Sequence, residues 1–255
     1  MNQQKTVLIT GATSGIGAAC AHIFAQNGFK VIISGRRAEK LDTLKEELSA
    51  KYNSKVLSLA FDVRYFEETE NAIKNLPKEW SQIHILINNA GLALGILPIQ
   101  EGNLEDWNQM IDTNLKGILH VSKCVIPSMT ARNSGHIINI GSIAGKETYL
   151  NGNIYCASKA AVDALTKAMR IDLLKFGIKV TQVAPGAVET EFSMVRFKGN
   201  ADAARKVYEG FKPLTAMDVA GVVFYTATLP AHVNINDVIV VPTAQANTTH
   251  TFKNM

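Results

Sequence analysis

The sequence predicts a doubly wound α/β fold: one parallel sheet of about seven strands with helices on both faces. Three observations carry this. Short apolar, β-branched runs alternate with helical patterns along the whole chain. A glycine-rich turn joins the first such run to the first helix. No internal repeat and no Pro/Gly/Ser-rich linker divides the 255 residues, so residues 1–255 read as a single domain.

The predicted strands are Thr6–Thr10, Lys30–Ser34, Lys55–Ala60, Ile83–Asn88, His136–Ile140, Lys179–Ala184 and Asp237–Val241. Runs this short and this apolar suit strands covered on both faces, as parallel strands are. The predicted helices are Ile16–Asn27, Ala38–Tyr52, Phe66–Leu76, Leu104–Arg132, Asn153–Phe176 and Thr215–Thr228. Between the last two strand–helix units, about 189–211 form an insertion containing a short amphipathic piece, Glu191–Gly199. Its place beside the strand ends suits a lid over a binding site.

Composition bounds the function. An apolar fraction of 47% is ample for a core. No apolar run reaches the roughly 18–20 residues a membrane span needs, and no membrane partner is expected. Met1–Lys5 leads straight into a strand, so no leader peptide is expected. Cys20, Cys124 and Cys156 lack metal-ligand spacing and read as reduced thiols in a cytoplasmic protein. The six histidines are dispersed, and no metal site is assigned. Net charge is +4 with no basic run, which argues against nucleic acid.

The first turn, Thr10 to Gly17, places Gly11, Gly15 and Gly17 between a strand and a helix. Glycines admit a pyrophosphate close to the backbone, and the helix N-terminus offers free N–H groups and a positive dipole end. The spacing departs from the common G-x-G-x-x-G. The second strand ends at Arg36-Arg37. A free ribose 2′-hydroxyl is usually met there by a carboxylate. Two guanidiniums match a 2′-phosphate instead, and arginine opposes the dipole of the helix it precedes. The expected cofactor is therefore NADP rather than NAD.

Asp62 follows the third strand, where its carboxylate either accepts from an adenine amino group or caps a helix. Asn88-Asn89-Ala90-Gly91 ends the fourth strand, at the edge where such folds bind ligands. These residues serve the turn alone or hold the cofactor ribose. Asn114 sits inside a long apolar helix, and a buried amide must be hydrogen-bonded. It either bonds across to a neighbour or holds a water that passes protons to a lysine. Pro185-Gly186 fixes a turn after the sixth strand, where backbone meets the nicotinamide amide.

The stretch from Ser142 to Lys159 carries the chemistry. Tyr155 and Lys159 are four apart and share one helix face. A phenol loses its proton near pH 10 in water, and a neighbouring ammonium is expected to lower that value. Ser142, at a strand end 155 − 142 = 13 residues upstream, points at the same spot. A hydroxyl, a phenol and a cation at one point suit proton exchange with an alcohol oxygen.

Taken together, the glycine turn, Asn88–Gly91, Asn114, the Ser142/Tyr155/Lys159 set and the Pro185-Gly186 turn resemble the short-chain dehydrogenase/reductase family. The resemblance runs from Thr6 to about Pro242 and narrows at NNAGLALG (Asn88–Gly95), EDW (Glu105–Trp107), MIDTN (Met110–Asn114), HIINIGS (His136–Ser142), TEFSMVRFKG (Thr190–Gly199) and TLPAHVNIN (Thr228–Asn236). These stretches are similar to NADP-dependent 3-hydroxy acid dehydrogenases, which act on serine, allo-threonine and related 3-hydroxy acids.

That resemblance implies a cytoplasmic homotetramer with a small-molecule 3-hydroxy acid substrate. It makes Tyr155 the acid/base, with Lys159 lowering its pKa and holding the ribose. Ser142 orients the substrate oxygen and Asn114 anchors a relay water. Gly11, Ser14, Ile16, Arg36, Arg37, Asp62, Val63, Asn89, Ala90, Val188 and Thr190 would line the cofactor. Ser14 stands where many NADP-using relatives carry a basic residue, so phosphate recognition would lean on Arg36 and Arg37. The tail Thr243–Met255 departs from the bacterial relatives in detail.

Two rivals remain in the sequence. One is a 3-ketoacyl-thioester reductase, whose usual Gly-rich segment after the last strand is missing from Val238–Thr243. The other is an NADPH-sensing binding protein, which the presence of both Tyr155 and Lys159 disfavours. For a substrate carboxylate, a guanidinium is the best-fitting partner. Arg196, on the lid-like insertion, is the candidate; its plainer alternative is a surface ion pair with Glu189 or Glu191.

Overall fold

The computed structural model describes residues 4–254. Its strands are β1 (Thr6–Thr10), β2 (Lys30–Gly35), β3 (Val56–Ala60), β4 (Ile85–Asn88), β5 (Gly135–Ile140), β6 (Ile178–Pro185) and β7 (Asp237–Val240). They form one parallel sheet in the order β3-β2-β1-β4-β5-β6-β7. The helices are α1 (Gly15–Gln26), α2 (Ala38–Tyr52), α3 (Phe66–Lys74), α4 (Leu104–Ile111), α5 (Gly117–Ala131), α6 (Asn153–Leu173), α7 (Glu191–Arg196), α8 (Ala201–Lys206) and α9 (Ala216–Thr228). No described helix is long and apolar enough to cross a membrane.

Strand side chains alternate between faces, so one strand feeds two cores. Val7 and Ile9 of β1 pack with Phe24, Leu41, Val219 and Val223, under α1, α2 and α9. Leu8, between them, packs with Leu86, Val121, Val125, Ile137 and Met169, on the side of α5 and α6. All three are fully buried. Burying a side chain of this size stabilises by about 1.5–3 kcal/mol. That is why the predicted apolar runs become central strands.

Strand order reverses between β1, whose neighbours are β2 and β4, and the β5–β7 half. Loops leaving β1 and β4 there diverge to opposite faces and open a crevice at the strand C-termini. Buried Asn88, at the end of β4, donates to Ser122 Oγ (3.1 Å) and to Asn139 Oδ1 (2.9 Å), so this first amide is structural.

One predicted element is corrected. Leu104–Arg132 is not a single α-helix: Asp112–Lys116 between α4 and α5 is a π-turn. Asn114 lies within it and bonds across to Leu92, so the extra residue in the turn accompanies a polar side chain that faces away from apolar packing. Gly117 follows, where a Cβ would lie 2.7 Å from Val63 Cγ2; only a glycine lets the helix approach so closely. The start of α9 follows sequence logic. The Thr215 hydroxyl accepts the Asp218 N–H, and the Asp218 carboxylate accepts the Thr215 N–H at 2.7 Å.

Candidate active site

The ends of β1, β4, β5 and β6 surround a cavity of about 550 Å3. Its lining brings together Gly11, Ser14, Gly15, Ile16, Arg36, Arg37, Asp62, Val63, Asn89, Ala90, Gly91, Ser142, Tyr155, Lys159, Pro185, Gly186, Val188, Thr190 and Arg196. Of the residues singled out from sequence, Gly17 and Asn114 are not part of that lining.

Gly17 acts from beneath. A Cβ there would lie 2.4 Å from the Gly11 carbonyl oxygen and 2.5 Å from Asn89 Nδ2. Its absence lets α1 start directly under the turn. Gly11 has φ of +65°, and a Cβ on it would meet Ala90 Cα at 2.8 Å. Asn89 ties the crossing together: Nδ2 donates to the Thr10 and Gly11 carbonyls at 2.9 and 3.1 Å. The Thr10 hydroxyl accepts the Asn89 and Ala90 N–H groups. The result is a glycine-lined cradle above a helix N-terminus, and its polarity fits a pyrophosphate.

The second-strand arginines lie at one end of the cavity. Arg36 is half-exposed, with Nη1 3.9 Å from Asp62 Oδ2. Arg37 Nη2 donates to Thr13 Oγ1 (2.7 Å) and Ser14 Oγ (3.1 Å), and Nη1 to Glu191 Oε2 (2.9 Å). Asp62 caps no helix: α3 is preceded by Tyr65, and the Asp62 carboxylate instead accepts the Arg64 N–H and guanidinium. Partial burial works against that charge, but the Arg64 hydrogen bonds and nearby Arg36 hold the carboxyl below its usual range.

At the opposite end stand the residues of β5 and α6. Ser142 follows β5 and caps a 3-10 turn, its Oγ accepting the Ala144 N–H at 3.0 Å. Gly145 in that turn presses on α6, where a Cβ would sit 2.5 Å from the Lys159 carbonyl oxygen. That contact sets the turn against the helix and brings Ser142 to Tyr155. Tyr155 shares the apolar layer of Leu92, Ala93, Met110, Ile154 and Phe192, with the Phe192 ring 5.6 Å from its own.

The electrostatics differ from the expected pattern. Burial raises the Tyr155 pKa above its ordinary value. The groups pulling it back are the Arg196 charge and a hydrogen bond with Ser142. Lys159 is also buried, which lowers its own pKa to about 8, and its Nζ donates to the Ile140 carbonyl at 2.9 Å. In this arrangement the cation acting on the phenol is Arg196, because Lys159 is turned to the strand end.

Asn114 is fully buried behind this site. Its Oδ1 accepts the Leu92 N–H at 2.8 Å, and Nδ2 donates to the Leu92 carbonyl (2.9 Å) and Ser158 Oγ (3.0 Å). The bond across to a neighbour that the sequence allowed is therefore made. A Cβ on Gly91 would lie 3.2 Å from Asn114 Oδ1 and 3.5 Å from Lys159 Nζ, so this glycine keeps open the gap between them.

Arg196 forms no surface pair with Glu189 or Glu191, as the plainer alternative had it. Glu191 is held by Arg37 and Lys40, both at 2.9 Å. The Arg196 guanidinium instead lies among Tyr149, Tyr155 and Phe192, 5.6, 5.1 and 5.7 Å from their ring centres. Nη2 donates to the Tyr149 hydroxyl, while Nε is buried without a described hydrogen-bond partner. Burial pushes the Tyr149 pKa up to about 12 despite that cation, so the phenol stays neutral.

The sequence reading missed part of the wall. Tyr149, Phe192, Tyr208, Phe211, Gln245, Thr248, Thr251 and Lys253 all line the cavity. The tail supplies four of them. Gln245 Oε1 accepts the Ala187 N–H beside the Pro185-Gly186 turn (2.8 Å), Gln245 bridges to Thr251, and the Asn254 N–H donates to the Gly210 carbonyl (2.8 Å). No periodicity marks a polar tail of this kind, so no local signal could have found it.

With this geometry in view, residues 5–201 match the short chain dehydrogenase family. The chain belongs to that family. It is 48% identical over 241 residues to the NADP-dependent 3-hydroxy acid dehydrogenase YdfG of Salmonella typhi, covering 94% of this chain and 96% of that one. It is 47% identical to sulfoacetaldehyde reductase 2 of Chromohalobacter salexigens, covering 94% and 95%. Among solved structures, the closed form of serine dehydrogenase complexed with NADP+ superimposes with a TM-score of 0.91 at 45% identity, covering 98% of this chain and all of that one. Serine dehydrogenase from Escherichia coli gives a TM-score of 0.81 at 42% identity, covering 94% and 99%. This short-chain dehydrogenase is an NADP-dependent oxidoreductase.

Proposed function

We propose that the protein transfers hydride between NADP(H) and the 3-hydroxyl or 3-oxo group of a small 3-hydroxy acid, such as serine, allo-threonine or 3-hydroxypropionate. The observation that carries the reading is Arg196: a guanidinium with an unpartnered buried donor beside the ring of Tyr155. An anionic substrate bound there would have its carboxylate on the arginine and its hydroxyl toward the tyrosine. Tyr149, hydrogen-bonded to the same guanidinium, fixes its plane. The names of the relatives, a 3-hydroxy acid dehydrogenase and a sulfoacetaldehyde reductase, agree on a small anionic compound.

Bound NADP supplies or accepts the hydride. The chain's own residues handle the rest. In the oxidation direction the Tyr155 phenolate takes the proton of the substrate hydroxyl; in reduction the phenol returns it. Ser142 holds the substrate oxygen. Lys159 stabilises the phenolate and holds the ribose once its Nζ leaves the Ile140 carbonyl. Asn114 acts as the anchor of a proton-relay water behind Lys159. Arg36 and Arg37 bind the 2′-phosphate, and the glycine turn with Ile16 takes the pyrophosphate. Asp62 and Val63 would hold the adenine, Asn89, Ala90 and Gly91 the nearer ribose, and Pro185, Gly186, Val188 and Thr190 the nicotinamide end. The segment 189–211, with α7 and α8, serves as a lid within a single catalytic domain. By family similarity the enzyme is a cytoplasmic homotetramer.

The test is an NADP+ reduction assay over serine, threonine isomers, 3-hydroxypropionate, 3-hydroxybutyrate, 2-hydroxyethanesulfonate and a secondary alcohol without an acid group. The expected result is activity confined to the anionic substrates, with the 3-hydroxy carboxylic acids preferred. Equal turnover of the uncharged alcohol would overturn the reading.

A further inference from the structure

Arg37 has four of its five N–H donors engaged. Nε and Nη2 are occupied by the Thr13 and Ser14 hydroxyls, and Nη1 by Glu191. The second oxygen of Glu191 takes Lys40, a cation in the first turn of α2 that lies outside the lining of the cavity. Arg36, in contrast, has its nearest carboxylate at 3.9 Å. The glutamate is the first residue of α7, a helix capped by the Thr190 hydroxyl, and it reaches Lys40 of α2 from a point 151 positions later in the chain. Among the described contacts, this pair of ion pairs ties α7 to the second-strand turn.

We propose that Glu191 is an internal anion that shares the 2′-phosphate site, so that the lid segment and the cofactor's 2′-phosphate compete for Arg37 and Lys40. The inference rests on the reading that Arg37 binds that phosphate, and it adds Lys40 as a third cation of the site. A carboxylate bridging two cations there cancels part of the positive field that would draw a dianionic phosphate. Arg36 is the open cation that meets the phosphate first. Full engagement of Arg37 requires Nη1 to exchange Glu191 for a phosphate oxygen, which frees the start of α7. NAD carries no group to make that exchange, so the competition affects one cofactor only. Glu191 is thereby a cofactor-specificity residue and a link between the adenosine end of the site and the segment above the substrate end. Lys40 and Arg37 hold the Glu191 carboxyl down to a pKa of about 2, so the anion is present at every working pH.

Binding of NADPH and NADH is measured by fluorescence titration for wild type, Glu191→Gln, Lys40→Ala and Arg37→Ala, with hydrogen exchange of residues 191–196 in the cofactor-free protein. Glutamine keeps the size and removes the charge. The expected result for Glu191→Gln is NADPH binding tightened by about two- to five-fold, the range of a half-exposed ion pair. NADH binding is unchanged, and exchange at the start of α7 is faster. Lys40→Ala weakens NADPH binding alone. NADPH binding that is unchanged or weaker in Glu191→Gln overturns the competition, as does an equal shift for both cofactors. Arg37→Ala separates the two layers of argument. If it leaves the NADPH-to-NADH preference intact, the phosphate reading itself fails. If it lowers that preference while Glu191→Gln does not raise NADPH binding, only the present inference fails.

Discussion

The guanidinium of Arg196 lies 5.1 Å from the centre of the Tyr155 ring, and its charge is the largest influence opposing the burial that raises the Tyr155 pKa. One arginine therefore faces both the Tyr155 ring and the cavity.

Tyr155→Phe removes the titrating oxygen and keeps the ring that packs on Phe192. Turnover should fall by about a hundred- to ten-thousand-fold, the scale of a lost general acid/base, with NADPH binding intact by titration. In the wild type, burial places the phenol above its ordinary pKa, so the phenolate is scarce at neutral pH. Oxidation should accelerate as pH rises into the alkaline range, and reduction, which needs the protonated form, should not. Near-normal turnover of the variant would remove Tyr155 from the chemistry.

Arg196→Ala should raise KM for serine and 3-hydroxypropionate by about ten- to a hundred-fold, matching charge-assisted hydrogen bonds of about 1.5–3 kcal/mol. A secondary alcohol without an acid group should be almost unaffected, since it never used the charge. The ratio of the two effects is the measurement. Parallel losses would assign Arg196 to ordering α7 and leave the carboxylate to backbone and hydroxyl donors.

Replacing Arg36 and Arg37 together by Ala should weaken NADP+ binding by about 2–5 kcal/mol, given the strength of hydrogen bonds to charged groups. NAD+ binding should change little. Calorimetric titration with both cofactors decides it. An equal loss for the two would mean that the arginines hold the turn, through Thr13 and Ser14, rather than the phosphate.

Lys159→Met should stabilise the cofactor-free protein at pH 7 while abolishing turnover. Burial lowers the Lys159 pKa to about 8, well below its unfolded value. Below pH 8 the ammonium is charged in both states, and its burial costs stability, on the order of a few kcal/mol. Between pH 8 and about 10.4 the native state releases the proton while the unfolded state keeps it. Stability contributed by this group therefore rises with pH over that window. The stability gap between variant and wild type, measured by denaturant unfolding, should shrink from pH 7 to pH 10. A gap that widens would contradict the burial cost.

Much of the fold is written in contiguous residues. The apolar runs that become β1 and β4 are buried on both faces, and the turn from Gly11 to Gly17 sits where strand order reverses. Both follow from local rules: period-two burial in strands, and glycine where a backbone crosses another backbone. Tyr155 and Lys159 share a face for the same kind of reason, a helical period acting over four residues. The π-turn at Asp112–Lys116 escaped this logic because an apolar helix pattern on either side hides one extra residue.

What the tertiary structure decided are the pairings between distant residues. Sequence placed Arg196 between a substrate and a surface glutamate; packing gave Glu191 to Arg37 and Lys40 and left Arg196 among three aromatic rings. Sequence allowed Asn114 a bond to a neighbour without naming one; packing supplies the Leu92 backbone and the Ser158 hydroxyl. Sequence put Lys159 one helical turn from Tyr155; packing gives its Nζ the Ile140 carbonyl. The tail, without pattern, became a wall of the cavity through Gln245, Thr248, Thr251 and Lys253. A hydrogen bond acts only over about 3 Å, so which of several competent partners a charge meets depends on how whole elements pack, and no local spacing encodes that.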